Sequence, residues 1–261
     1  MKFPPLRGLA AAVLTVTLVL SGPAAPAQAA QARANPDGTN TSLLEMLDFA
    51  LDLLGQVGDG DISPEDLAAM TQNVINALNQ AESGVIAHLD AIAVANIRDD
   101  ATAAVIEFED INNFAEETLE DWAQEVSGDA VRAAAYLDAV SAGKAVDDVG
   151  YAVVTLFPIA LVARARAGFG TTNLRNQYRA ALQKIADKLA PSCHYYYPEP
   201  NAVPLIRAYT CTVYGNHTAT QLEQYWLGEW QLGPIDPAAV QAASYANTSR
   251  RVAVESLRLL P

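Results

Sequence analysis

The chain has 261 residues, with 30 Asp and Glu against 16 Lys and Arg, a net charge of −14 at pH 7. Such a chain repels nucleic acid and anionic lipid, so no nucleic-acid partner is expected. The charge is also uneven: residues 30–150 hold 24 acidic and 4 basic side chains, residues 151–261 hold 6 and 10, and the eleven carboxylates between Arg98 and Arg132 have no basic residue among them.

Lys2 and Arg7 precede an uncharged run from Gly8 to Ser21, which leads to Ala27-Gln28-Ala29. A basic region, an apolar region and an Ala-x-Ala site in that order predict a signal peptide over residues 1–29, cleaved near Ala29, and hence a secreted protein. The apolar run is shorter than the roughly 20 residues of a membrane anchor. Residues 30–40, rich in Ala, Gln, Pro and Gly, read as a flexible tail, and residues 41–261 as a single helical domain.

Ser42 and Glu45 form a capping box for a first helix, and Gly55 falls where its C-cap is expected. In "GDGDISPEDL", residues 58–67, Asp59-Gly60-Asp61-Ile62 matches the second half of a calcium-binding EF-hand loop. Gly55 and Val57 stand where that loop needs oxygen ligands, so Ser63, Pro64 and Asp66 read better as an ordinary helix start. Leu67, Met70, Val74, Leu78, Ala81, Val85, Leu89 and Ile92 recur at spacings of three and four, which predicts a long helix with one buried stripe, bent or split at Gly84.

Val105, Phe108, Ile111, Ala115, Trp122 and Val126 continue the pattern up to Gly128. A short helix over Asp129–Ala142 follows, ended by Gly143. Asp110, Glu117, Asp121 and Glu125 fall on another face, the pattern of a solvated surface. No metal ligand set is assigned.

"DVGYAVVTLFPIALVARAR", residues 148–166, contains an unbroken run of 15 uncharged residues between Asp148 and Arg164, whereas a spanning helix needs about 20. Pro158 is expected to break or kink it. A hydrophobic helix at the centre of an amphipathic bundle is therefore predicted. At the level of architecture only, this arrangement resembles the helical domains of bacterial pore-forming toxins, which implies an alternative in which residues 149–163 leave the core and insert.

After Gly168 and Gly170, Leu174, Tyr178, Leu182, Ile185 and Leu189 mark one face of an amphipathic helix whose other face holds Arg175, Arg179, Lys184 and Lys188. This basic helix is expected to lie against the acidic helices between residues 99 and 129. Residues 193–215 lack a helical period and read as a β-hairpin or irregular excursion closed by a Cys193–Cys211 disulfide, the default pairing for two cysteines in an exported chain. "ATQLEQYWLGEWQLG" is read as a return to helix, and Asp236-Pro237 as the start of a last one.

The fold class is therefore all-α: about six amphipathic helices around a hydrophobic central one, with a small disulfide-closed excursion. No nucleophile, base, dinucleotide or phosphate motif is present, so no catalytic residue, metal or cofactor is assigned. His88, His194 and His217 have no ligand spacing. The residues from Tyr195 to Trp230 hold eight of the chain's nineteen aromatics. They form either a small aromatic core against the disulfide or, through Tyr195, Tyr196, Tyr197, Trp226 and Trp230, a candidate binding surface. The expected function is a secreted, non-enzymatic binding module with a protein or glycan partner. A membrane is the less favoured contact, and a hydrolase is a further alternative.

Overall fold

A computed structural model describes residues 43–45, 47–48, 50–51, 68, 71–72 and 88–260. The signal segment, the 30–40 tail, Ser42, Gly55, the 58–67 stretch, Gly84 and most of the helix expected from Leu67 lie outside the described residues. Of the first helix, Leu43, Leu47 and Ala50 are helical and buried, on one face as the spacing requires.

Four longer helices follow: α1 (His88–Phe108), α2 (Glu116–Ala139), α3 (Gly143–Arg166) and α4 (Thr172–Lys188). Then come strands β1 (Ser192–Tyr196), β2 (Ile206–Thr212), β3 (Thr218–Trp226) and β4 (Glu229–Leu232), and two closing helices, α5 (Pro237–Ser244) and α6 (Ser249–Leu259). The chain is mostly helical, but it is not purely all-α.

Helix α3 is the centre. Residues 149–163 are all buried, with α1, α2, α4 and α6 packed around them. An 18-residue apolar window is available in α3 because the 15 uncharged residues lie within a helix of 24. By length and composition α3 could cross a membrane, yet 94% of that window is buried inside the protein. Pro158 does not end the helix. It lacks an N–H for the Val154 carbonyl, but its neighbours Phe157 and Ile159 are fully buried, and packing on every side holds the segment together despite the missing bond.

Glycine marks helix ends less faithfully than expected. Gly128 lies inside α2, flanked by buried Ala123, Val126, Ser127, Ala130 and Ala133, so α2 runs unbroken where two helices were anticipated. Gly143 opens α3 instead of closing a helix, and what its missing side chain serves is the approach of Tyr214, whose Cβ would lie 2.6 Å from a Cβ at this position. The expected last helix is likewise two, α5 and α6, separated by a turn at residues 245–248.

Helix α4 follows its pattern: Leu174, Tyr178, Leu182, Ile185 and Leu189 are all buried, and Tyr178 stacks on Phe157 of α3 with ring centroids 5.0 Å apart. Its basic face meets α2 further along than expected. Lys184 pairs with Asp138, and Lys188 donates to the Val140 carbonyl at 2.7 Å. These partners lie beyond residue 129, because α4 also packs on α3 and α6, and those contacts fix its height on α2.

The excursion is larger than residues 193–215. It is a four-stranded antiparallel meander in the order β1-β2-β3-β4. Residues 219–233, expected to be helical, instead hold most of β3 and all of β4. Leu222, Tyr225, Trp226 and Trp230 sit at spacings of three, four and eight that imitate a helical stripe, but pairing of β3 with β2 along seven residues overrides this local preference. Cys193 stands directly opposite Cys211 and bonds to it, at a Cα separation of 4.1 Å. On the cysteine side of the sheet, Cys211, Ala219 and Val240 make a small second core, with Cys193, Tyr209 and Ala243 against it, and α5 covers it. Asp236 caps α5, its Oδ1 accepting from the N–H groups of Ala238 and Ala239 at 3.0 and 3.1 Å.

A second core of so few side chains makes the disulfide a large share of the sheet's stability, about 3 kcal/mol for a loop of this length. Reduction should therefore speed amide exchange in residues 192–232 and leave α2 and α3 protected, as hydrogen exchange read by mass spectrometry would show. A Cβ on the exposed Gly128 would meet nothing within 4 Å, so Gly128→Ala should stabilise α2 by up to about 1 kcal/mol, read as a higher melting temperature.

Candidate functional site

Two features of the sheet are unusual, one at each end. The first is a buried polar clamp. Asp147, in the first turns of α3, is only 3% exposed. Its Oδ2 accepts from the Tyr214 hydroxyl at 2.5 Å, and its Oδ1 accepts from the Ser249 N–H at 2.6 Å and the Ser249 hydroxyl at 2.7 Å. Ser249 begins α6, so the carboxylate occupies the electropositive end of that helix. Tyr214 lies in the 213–217 turn that joins β2 to β3. One carboxylate thus ties the core helix, the sheet and the last helix together.

The fit is close. Gly150 lies almost one turn after Asp147, and a Cβ there would come within 2.9 Å of the Ser249 Cβ. Burial raises the Asp147 pKa, opposed by the hydrogen bonds from Tyr214 and Ser249 and by the charge of Lys144. Burial, then the neighbouring Asp147 charge, holds the proton on Tyr214. Burial also lowers the pKa of His217, whose ring is 4.5 Å from that of Tyr214, and so favours the neutral imidazole. Asp148, ion-paired with Lys144, is pushed up to about 6, burial outweighing the pair. Ser249 is fully buried, so no substrate reaches its hydroxyl. The cluster is a structural anchor.

The second feature is at the opposite end. β1 and β2 are joined by residues 197–205, and β3 and β4 by Leu227 and Gly228. In an antiparallel meander both connections lie at the end away from the 213–217 turn. Of the twelve exposed large hydrophobic residues among the described ones, nine belong to the sheet and its connections: Tyr195, Tyr196, Tyr197, Val203, Leu205, Tyr225, Trp226, Leu227 and Trp230. All five candidate surface residues are among the exposed ones. Of the remaining aromatics in this stretch, Tyr209 is partly buried on the disulfide, with the Tyr195 ring tilted against it at 4.5 Å, and Tyr214 is partly buried against the main core.

Leu227 is the residue that sequence reasoning missed. It sits at φ +52° and Gly228 at φ +88°, the two central positions of a tight hairpin turn closed by the Trp226–Glu229 pair. Both positions of such a turn favour Asn or Gly. A leucine there costs about 1 kcal/mol of backbone strain, and this one is also 87% exposed. The Trp226-Leu227-Gly228-Glu229 run, with Gly at the second position, was the available signal. Behind the turn Tyr225 and Trp230 meet edge to face at 5.0 Å, and Arg207 lies over the Tyr195 ring at 4.7 Å while paired with Glu223.

The remaining candidates do not converge. Asp110, Glu117, Asp121 and Glu125 are all exposed on α2 and the turn before it, and among the described residues no group of three or more His, Cys, Asp or Glu could hold a metal ion. His194 is exposed beside Tyr196, and the side chain of His88 lies outside the described residues. An open cleft of about 480 Å³ between α5 and α6 is lined by Ala239, Ala242, Ala243 and Ala246 and by the charged groups Arg251, Glu255 and Arg258, of which Arg251 and Glu255 pair with each other. No family model, curated protein or solved structure matches this chain.

Asp148 keeps its proton up to about pH 6 in the folded protein, against 3.8 when unfolded, so between these values the folded state binds more protons. Its contribution to stability therefore grows as pH falls from 7 towards 4, by about 3 kcal/mol at most. Thermal melts should show a higher midpoint at pH 5 than at pH 7.5, and Asp148→Asn should flatten part of that rise.

Proposed function

We propose that this chain is an exported, non-catalytic binding module that works through the aromatic free end of its sheet. The observation that carries the reading is Leu227: a large apolar side chain held in solvent on a strained turn, amid eight other exposed hydrophobic residues of the sheet. Strain and exposure at one residue oppose folding, and such features persist where the side chain serves a contact outside the chain. Aromatic rings with few rotatable bonds give large contact area at low entropy cost, as recognition surfaces require. The clamp at the other end supports the same reading, because a sheet fixed to the helical core at Tyr214 presents its far end as a rigid projection. Toxin-like insertion of residues 149–163 has the length and composition of α3 in its favour but would have to strip from it the helices that bury it, and no observation favours a hydrolase reading.

The test compares the wild type with the variant Trp226→Ser/Leu227→Ser/Trp230→Ser, whose changed side chains are all exposed and whose fold should be kept. Both are passed over cellulose, chitin, peptidoglycan and immobilised phospholipid vesicles. Retention of the wild type on at least one phase, lost in the variant, is the expected result; equal behaviour on every phase would overturn the binding surface. A hydrolase activity that survives repeated purification would overturn the non-catalytic half of the reading.

A further inference from the structure

The free end of the sheet has an order along its axis that narrows what it meets. Outermost are aliphatic side chains: Leu227, 87% exposed on one connection, and Val203, 81% exposed on the other, with Leu205 beside it. Immediately behind them come aromatics with a polar atom: Tyr196 at the end of β1, Tyr197 just beyond it, Tyr225 and Trp226 at the end of β3, and Trp230 on β4. Behind these lies the charged pair Arg207–Glu223. A lipid bilayer has the same order in depth, hydrocarbon first, then an interface that favours Trp and Tyr, then water. A pocket in a protein partner would sooner select the aromatics as its anchors, since leucine is under-represented at interface hot spots.

Charge identifies the lipid. Residues 196–206 and 224–235 contain Glu199 and Glu229 and no Lys or Arg. The first cation along the sheet, Arg207, is held by Glu223 and the Tyr195 ring. With a net charge of −14 on the whole chain, an anionic surface repels the molecule and nothing at the tip offsets that. Resting on the proposed binding role of the sheet end, we infer that its two connections insert into the interface of a zwitterionic phospholipid membrane, Leu227 and Val203 entering the acyl boundary and the tyrosines and tryptophans lying at headgroup depth. Contact is peripheral, and α3 stays in the core.

The experiment uses the mature protein and phosphatidylcholine vesicles, read by co-sedimentation and by tryptophan emission. Trp122 is buried in the bundle, so a change on adding vesicles reports Trp226 and Trp230. Binding with a blue shift is expected, weakening as phosphatidylglycerol is added. Leu227→Asn suits the left-handed backbone better than leucine, so it should melt at or above the wild-type temperature while partitioning at least tenfold less; Val203→Asp should partition less by a similar factor. Wild-type partitioning no stronger than that of either variant, or strengthened by anionic lipid, would overturn the inference. Loss of vesicle binding together with tip-dependent retention on a polysaccharide would overturn the membrane and leave the binding surface standing; failure on every phase would remove both.

Discussion

The architecture depends on one buried carboxylate. An ionised Asp147 in an apolar helix layer carries a heavy desolvation cost unless its oxygens are filled, and here both are, by a tyrosine hydroxyl, a serine hydroxyl and a backbone N–H at the start of a helix. Removing the Tyr214 hydroxyl would leave Oδ2 a buried unsatisfied acceptor, which costs about 1–3 kcal/mol, whereas Oδ1 would keep one of its two Ser249 donors if the other were lost. Because the three donors come from two other elements, that cost acts as a positional constraint on each. Gly150 and Gly143 supply the space, one for the approach of Ser249 and the other for that of Tyr214. The same turn carries Val213 and Tyr214 against the main core, so the sheet is attached at one end and free at the other.

From that attachment follows the division of labour in the sheet. Near the clamp its cysteine face is covered by α5 and stitched by the disulfide, and Thr210–Thr220 and Thr212–Thr218 hydroxyl pairs, 2.7 and 3.0 Å apart, run along the opposite face. Beyond Ile206 nothing among the described residues buries the side chains to the same degree, and exposure rises to its highest values at the two connections. The register shift between β3 and β4 at Gln224/Tyr225 brings Trp230 opposite Tyr225 and so gathers the rings behind the turn. A bulge, a strained leucine and a set of exposed rings in one place form a single surface.

Charge has a smaller part in holding the bundle together. Among the described residues, Lys184–Asp138, between two helices, and Arg207–Glu223, between two strands, each have at least one partner substantially exposed. Exposed pairs contribute well under about 1 kcal/mol each. The acidic face of α2 is solvated as its spacing suggested, and the bundle rests on the apolar surface buried around α3.

What the sequence determined by itself is what local periodicity and short-range chemistry decide. The stripe of α4 from Leu174 to Leu189, the buried character of residues 149–163, the Asp236 cap and the Cys193–Cys211 pairing could all be read from the order of residues, because each depends on neighbours within a few positions or on there being only two cysteines. Tertiary structure decided the rest. Residues 218–232 carry a spacing that serves helix and strand alike, and the hydrogen-bonding partner β2 chose strand. Gly128 and Pro158 are breakers by propensity, worth about 1 and 3 kcal/mol, and the packing of α2 and α3 outweighs both. The clamp joins residues 147, 214 and 249, whose sequence separations of 67 and 102 carry no periodic signal at all. The exposed tip became a surface only when the meander put two connections, more than twenty residues apart in sequence, at the same end of one sheet.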